Sequence, residues 1–175
     1  LDGTAQTKIT SQPMESLISP RWSPDGTQLV FTRRSAEPFV TSSVSPAPHP
    51  FLPALSPTPI VWIADWSPNN QRMVGSWRLK QEDNPTLIVY DLATQQITHY
   101  ETPSMRSVVW LPDSRWLLGL LPNKFGALDT ETRQVRDIAV PQAAFIRSFT
   151  LSRDTRTIYF NLEIPGSDIW LLTLP

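Results

Sequence analysis

Arg21-Trp22-Ser23-Pro24-Asp25-Gly26-Thr27-Gln28-Leu29-Val30-Phe31 reads as a strand, a tight turn and a second strand. A β-rich run ends at Trp22 and meets Ser-Pro-Asp-Gly. There the proline presets φ, the aspartate suits the turn centre and the glycine accepts the left-handed position. The stretch recurs as Asp65-Trp66-Ser67-Pro68-Asn69-Asn70-Gln71-Arg72-Met73-Val74-Gly75, then as Val109-Trp110-Leu111-Pro112-Asp113-Ser114-Arg115-Trp116-Leu117-Leu118-Gly119, and last as Thr150-Leu151-Ser152-Arg153-Asp154-Thr155-Arg156-Thr157-Ile158-Tyr159-Phe160. From Trp22 to Trp66 to Trp110 to Leu151 the intervals are 44, 44 and 41 residues. Near-constant spacing of that length is the signature of four-stranded propeller blades. Asn70 tolerates the left-handed turn position, whereas Ser114 and Thr155 predict poorer or differently shaped turns in the later copies.

The second half of the unit repeats in kind. Thr86 to Thr98 and Gly126 to Arg136 each read as strand, polar turn and strand, around Asp91 and Asp129. The expected fold is therefore all-β, a β-propeller of about four blades built from four-stranded antiparallel sheets. Residues 1–10 form the outer strand of a preceding or closing blade, with Asp2 in its turn. Residues 11–59, 60–103 and 104–143 form the first three blades, and 144–175 a fourth without its outer strand. The chain opens inside a turn-like Leu1-Asp2-Gly3-Thr4, as if cut from a longer protein. An open arc is expected in preference to a closed four-blade disc, which would require Ala5–Thr10 to ladder onto Ile169–Leu174.

These residues resemble the WD40-like repeat of TolB-type propellers, which is also similar to the N-terminal propellers of prolyl-oligopeptidase-type enzymes. The closing Arg153–Phe160 and Ser167–Leu172 further resemble the C-terminal propellers that follow a transmembrane segment in bacterial receptor-like serine/threonine kinases and regulators. The resemblance implies a recognition or sensor module and an extracytoplasmic location. The Gly-His and Trp-Asp pair of strict WD40 blades is missing.

Between Arg34 and Ile60 seven prolines interrupt the pattern, and proline cannot donate to a sheet ladder. The third and fourth strands of the first blade are expected to be replaced here by an irregular edge, with a projecting polyproline-like recognition loop as the alternative.

Composition narrows the function classes. Fifteen Lys and Arg against sixteen Asp and Glu leave a net charge of −1, without the basic excess that a nucleic-acid binder needs. With no cysteine there is no thiolate nucleophile and no cysteine-ligated zinc. The apolar run Trp116–Leu121 is too short to span a bilayer. The two histidines, His49 in the proline run and His99 on an expected outermost strand, lie far from any propeller axis, where a Ser-His-Asp hydrolase would need one. No Gly-Lys-Ser/Thr phosphate cradle occurs. The expectation is a chain that is not an enzyme and carries no cofactor.

Four residues before each aligned Trp-type position come Ile18, Trp62, Arg106 and Arg147. Placed at the start of each first strand, they converge on one end of the channel. There Trp62, Arg106 and Arg147 could grip an anionic or aromatic group of a protein, peptide or small ligand. The plainer alternative has the arginines solvated or paired with Glu15 or Glu101, and Trp62 packed between blades. Trp77 and Arg78, entering the loop Trp77–Pro85, are further candidates on the channel face. Trp22, Trp66 and Trp110 are expected in the core between blades. The rival function is the gating propeller of a prolyl-oligopeptidase-type hydrolase.

Overall fold

A computed structural model describes residues 16–33, 37–42, 47–52, 58–102, 105–122, 124–138, 145–163 and 168–173. The first sheet contains β1 (Leu17–Trp22), β2 (Gln28–Arg33), β3 (Pro38–Ser42) and β4 (His49–Pro50). The second contains β5 (Ile60–Trp66), β6 (Arg72–Arg78), β7 (Thr86–Asp91) and β8 (Ile97–Tyr100). The third contains β9 (Arg106–Trp110), β10 (Trp116–Leu121), β11 (Lys124–Asp129) and β12 (Val135–Ile138). The last is three-stranded, with β13 (Phe145–Leu151), β14 (Thr157–Glu163) and β15 (Asp168–Thr173). Every sheet is an antiparallel meander in chain order, which is the blade of a propeller. Among the described residues no helix is long and apolar enough to cross a membrane.

The turns after the first strands are alike in all four blades. The amide of the left-handed residue donates to a carbonyl three residues back, from Gly26 to Ser23 (2.9 Å), Asn70 to Ser67 (2.8 Å), Ser114 to Leu111 (3.0 Å) and Thr155 to Ser152 (2.8 Å). Their φ angles are 69°, 60°, 55° and 57°. The expectation of poorer turns at Ser114 and Thr155 is thus corrected. The turn aspartate holds the geometry in both: Asp113 Oδ1 accepts the N–H groups of Arg115 at 2.9 Å and Trp116 at 3.0 Å, and Ser152 Oγ donates to Asp154 Oδ1 at 2.5 Å, which outweighs the modest penalty of a left-handed non-glycine.

The proline-rich segment also differs from expectation. β3 is a buried strand paired with β2 from Gln28↔Ser42 to Thr32↔Pro38. Its proline stands at the first strand position, where a ladder tolerates it. β4 shrinks to His49–Pro50, and the chain then turns Phe51 edge-on against Tyr90 of the second blade, with ring centroids 5.0 Å apart.

Apolar side chains fill the spaces between successive sheets. Val30 of the first blade packs with Val61, Ile63, Trp66 and Met73 of the second. Val74 and Val89 of the second pack with Val108, Trp110 and Leu117 of the third. Leu118 and Phe125 of the third pack with Ile158 and Phe160 of the fourth. Among the described residues no apolar cluster joins the fourth sheet to the first, so the described sheets form an open arc. The pairing of Ala5–Thr10 with Ile169–Leu174 lies outside the described residues.

One tryptophan departs from the repeat. Trp66 and Trp110 are 4% exposed, but Trp22 is 53% exposed. Each buried ring leans on the blade before its own, and among the described residues none precedes the first. Its sheet-face neighbours Leu29, Phe31 and Phe39 are nonetheless buried, so the exposure is local to Trp22.

Candidate binding site at the channel mouth

The first strands β1, β5, β9 and β13 lie side by side on the inner side of the arc. Side chains stitch each one to the next. Arg21 Nε donates to the Ala64 carbonyl at 2.8 Å, the Trp110 N–H donates to Asp65 Oδ2 at 2.8 Å, and Arg106 Nη2 donates to the Ile146 carbonyl at 3.2 Å. Burial raises the Asp65 pKa, opposed by N–H donors from Trp110 and Trp66 and by the charge of Arg21.

Each first strand carries a bulge within the five residues before its aligned Trp-type position. The register slips between Ile18 and Arg21, between Ile63 and Asp65, opposite Leu118 and Leu120 in the third blade, and between Ile146 and Phe149. Ser19 and Ser107, at equivalent places in these bulges, take φ of 54° and 50°. A bulge bends its strand and re-aims the adjoining side chains. The residues just before or within these bulges are Ile18, Trp62, Arg106 and Arg147. All four are exposed, at the end of the channel away from the Ser-Pro-Asp-Gly turns.

Local packing fixes the second of them. The Arg78 guanidinium stands 5.1 Å from the Trp62 ring centroid and is itself held by the Gln81 carbonyl (2.8 Å) and side-chain oxygen (2.9 Å). Trp62 pairs with Ser76 across the sheet, so Trp62, Ser76 and Arg78 share one face. Trp77 points to the opposite face. It is half-buried with the cluster around Val61 and Ile63, edge-on to His99 at 5.3 Å. The structure thus brings Trp62 and Arg78 together, sets Arg106 and Arg147 on the two neighbouring strands, and leaves Trp77 outside the mouth. Leu79, directly after Arg78, is exposed. Neither Leu79 nor Asp65 stood out in the sequence, because the equivalents of Asp65 are Arg21, Val109 and Thr150, with no shared chemistry.

A second concavity of about 380 Å³ opens between the second and third blades at the turn-bearing end, lined by Arg72, Asp91, Tyr100, Thr130, Glu131 and Arg133 among others. Its charges are largely engaged locally. Arg72 donates to the Ser114 carbonyl, Glu131 pairs with Arg115 at 3.1 Å, and Asp91 Oδ1 accepts the N–H groups of Ala93 and Thr94. His49 and His99 lie on β4 and β8, the outermost strands of their sheets. Among the described residues no three His, Asp or Glu side chains are grouped so as to hold a metal ion.

The same arrangement of blades is found in TolB from Acinetobacter baumannii, with a TM-score of 0.71 at 17% identity over 90% of this chain. The fold is that of a TolB-like β-propeller. An oligogalacturonate lyase in complex with manganese superposes with a TM-score of 0.72 at 12% identity over 95% of the chain. A puromycin hydrolase does so with 0.67 at 18% identity over 90%. This propeller segment spans 40% of the TolB chain, 53% of the lyase and 27% of the hydrolase. No protein-family model matches the sequence, and no curated protein matches it either. At these identities the likeness is one of fold, and function has to be argued from the site.

Proposed function

We propose that this propeller segment is a non-catalytic recognition module, which binds a protein, peptide or small ligand across the mouth formed by Ile18, Trp62, Arg106 and Arg147. One observation carries the reading. At a single repeat position, four successive first strands expose their side chains at the same end of the channel, whereas the aligned positions Trp66 and Trp110 a few residues on are buried. Pre-formed sites of this kind combine exposed apolar and aromatic surface with a few placed polar groups. The positions of His49 and His99 on outer strands support a role without covalent chemistry.

Chemical-shift mapping on the ¹⁵N-labelled chain, against a panel of charged and apolar small molecules and short peptides, tests the proposal. The amides of residues 18, 62, 106 and 147 and the Trp62 indole should respond as one set. A panel that moves none of them, or turnover of an ester or peptide substrate that disappears in His49→Ala or His99→Ala, would count against it.

A second reading, a propeller that gates access to a hydrolase domain, draws on the likeness to puromycin hydrolase, of which the segment matches 27%. A hydrolase domain elsewhere in the same polypeptide, with the mouth facing its active site, would favour that reading.

A further inference from the structure

We infer that the concavity between the second and third blades is a site for a neutral polyol, a sugar unit held through its hydroxyl groups. It stands apart from the mouth, at the turn-bearing end. Strand register explains why it is there. Arg72 pairs with Asp91 and Val74 with Val89 between β6 and β7, and Val89 pairs with Thr98 and Leu87 with Tyr100 between β7 and β8. These residues share the face of the second blade that packs on the third. Val74, Leu87, Val89 and Tyr100 join the apolar cluster of that boundary, whereas Arg72, Asp91 and Thr98 line the concavity at its end. In the third blade the same places are filled. Trp116 pairs with Asp129 as Arg72 does with Asp91, and Arg136 pairs with Ala127 as Thr98 does with Val89. There the Arg136 guanidinium covers the Trp116 ring, 4.8 Å from its centroid. The short side chain of Thr98 leaves the place open, and the volume of about 380 Å³ is within the range of small-molecule sites.

The lining selects the ligand. Its walls are set by local bonds: Arg72 donates to the Ser114 carbonyl and lies over the Trp110 ring, Asp91 Oδ1 accepts the Thr94 N–H and hydroxyl, and the Tyr100 hydroxyl donates to the Thr130 carbonyl at 3.0 Å. Side chains fixed before binding lose little entropy when a ligand arrives. Polar capacity remains. The side chains of Gln96, Thr98 and Arg133 make no hydrogen bond or ion pair among the described residues, and Arg133 meets only the Tyr100 ring, 5.9 Å from its centroid. The second carboxylate oxygen of Asp91 is likewise uncommitted among them. Asp91 only accepts, Arg133 only donates, and Gln96 and Thr98 do both. A sugar hydroxyl offers one donor and two acceptor lone pairs, so it can meet every one of these groups. Arg72 and Arg133 stand against Asp91 and Glu131, so neither an anion nor a cation finds a wall of opposite sign. An apolar molecule would strip water from Asp91 and Arg133 and return no hydrogen bond.

The test titrates the whole ¹⁵N-labelled chain with glucose, galactose, maltose, glucuronate, glucosamine and cyclohexanol. A neutral sugar should shift the amides of residues 96, 98, 130 and 133 while those of residues 18, 62, 106 and 147 stay still. It should bind about tenfold more tightly than cyclohexanol, and its charged analogues should bind no more tightly than it does. Maltose binding as well as glucose identifies an oligosaccharide end as the source, and weaker binding of maltose identifies a free sugar; both support the inference. Thr98→Arg copies Arg136 of the next blade, fills the place and should weaken binding by about tenfold or more. Thr98→Ser should bind as wild type does, and Arg133→Gln should bind several-fold more weakly. Neither side chain is buried, and circular dichroism confirms that each variant is folded. Should Thr98→Arg fail to fold, Arg133→Gln and Thr98→Ser carry the comparison. The polyol assignment is overturned if no sugar moves the four amides at roughly 100 mM, if glucuronate or glucosamine binds more tightly than the neutral sugar, if cyclohexanol binds as well, or if folded Thr98→Arg or Arg133→Gln binds as wild type does. Shifts confined to residues 18, 62, 106 and 147 would move the sugar to the mouth and overturn it too.

Discussion

The carboxylate of Asp65 accepts the backbone N–H of Trp110 at 2.8 Å, so a side chain from the first strand of one blade fastens the first strand of the next. Burial holds its pKa above the usual value for an aspartate. A carboxyl group with a raised folded-state pKa contributes stability that is fully present below the unfolded-state value and is lost as pH rises through the folded one. Asp65→Asn keeps an oxygen for Trp110 but cannot ionise. Its stability relative to wild type should therefore improve as pH rises through that range, and thermal melts across pH 3 to 8 read the difference directly. Asp65→Ala leaves a half-buried N–H unpaired and should destabilise by about 1–3 kcal/mol. A difference between Asn variant and wild type that does not change with pH would contradict the assignment.

Asp25 behaves in the opposite sense. The Ser23 hydroxyl, the Thr27 N–H and hydroxyl, and the Asn70 amide bring its pKa from 3.8 down to about 2. Its contribution is present above the unfolded-state value and lost as pH falls toward the folded one. Asp25→Asn should flatten the pH dependence of the urea midpoint between those two values. The turn itself should survive, because Asn69 holds the equivalent place in the second blade and accepts from Ser67 Oγ at 2.8 Å. An unaltered acid slope in the variant would exclude Asp25 as its source.

Two glycines with different surroundings should respond differently to alanine. A Cβ on Gly26 meets nothing within 4 Å, and only its φ of 69° opposes substitution, at about 1 kcal/mol. Asn should be better tolerated there, since Asn70 adopts the same conformation. A Cβ on Gly75 would lie less than 3 Å from the Trp62 carbonyl oxygen, which is backbone and cannot swing away. Gly75→Ala should cost roughly 1–3 kcal/mol and disturb the Trp62 resonances. Equal losses at the two sites, measured by denaturant unfolding, would refute the distinction.

The tryptophans divide in the same way. Trp66→Ala should destabilise by about 3–5 kcal/mol, and Trp22→Ala by under about 1 kcal/mol. Urea unfolding of the two variants decides it, and a large loss at Trp22 would show that its ring is covered in solution.

Much of the fold was legible because the repeat advertises itself. Trp66, Trp110 and the turn that follows each recur at one interval, and a hairpin is a local object. What the repeat could not reveal was non-local. Trp22 is followed by the same Ser-Pro as Trp66, but its burial depends on what stands across the sheet face. Asp65 makes its contact 45 residues away. Counting back four residues from each aligned position leads to Ile18, Trp62, Arg106 and Arg147, all of them exposed, because that count follows the first strand from a turn of constant shape. Grouping Trp77 with Arg78 did not hold, since consecutive strand residues point to opposite faces. The prolines misled in the first blade because a sheet excludes proline from its interior far more strictly than from strand starts and edges, which is where Pro38 and Pro50 stand.

Apolar clusters in this arc join each sheet only to its immediate neighbours, with no closing contact from the fourth to the first among the described residues. Cooperativity in such a molecule is that of a linear array, in which the free energy is a sum of unit and nearest-neighbour terms. A terminal unit gives up one coupling when it opens, and an internal unit gives up two. Amide exchange in β6, β7, β10 and β11 should accordingly be slowest, with the outer sheets exchanging through fraying that never requires the middle pair to separate.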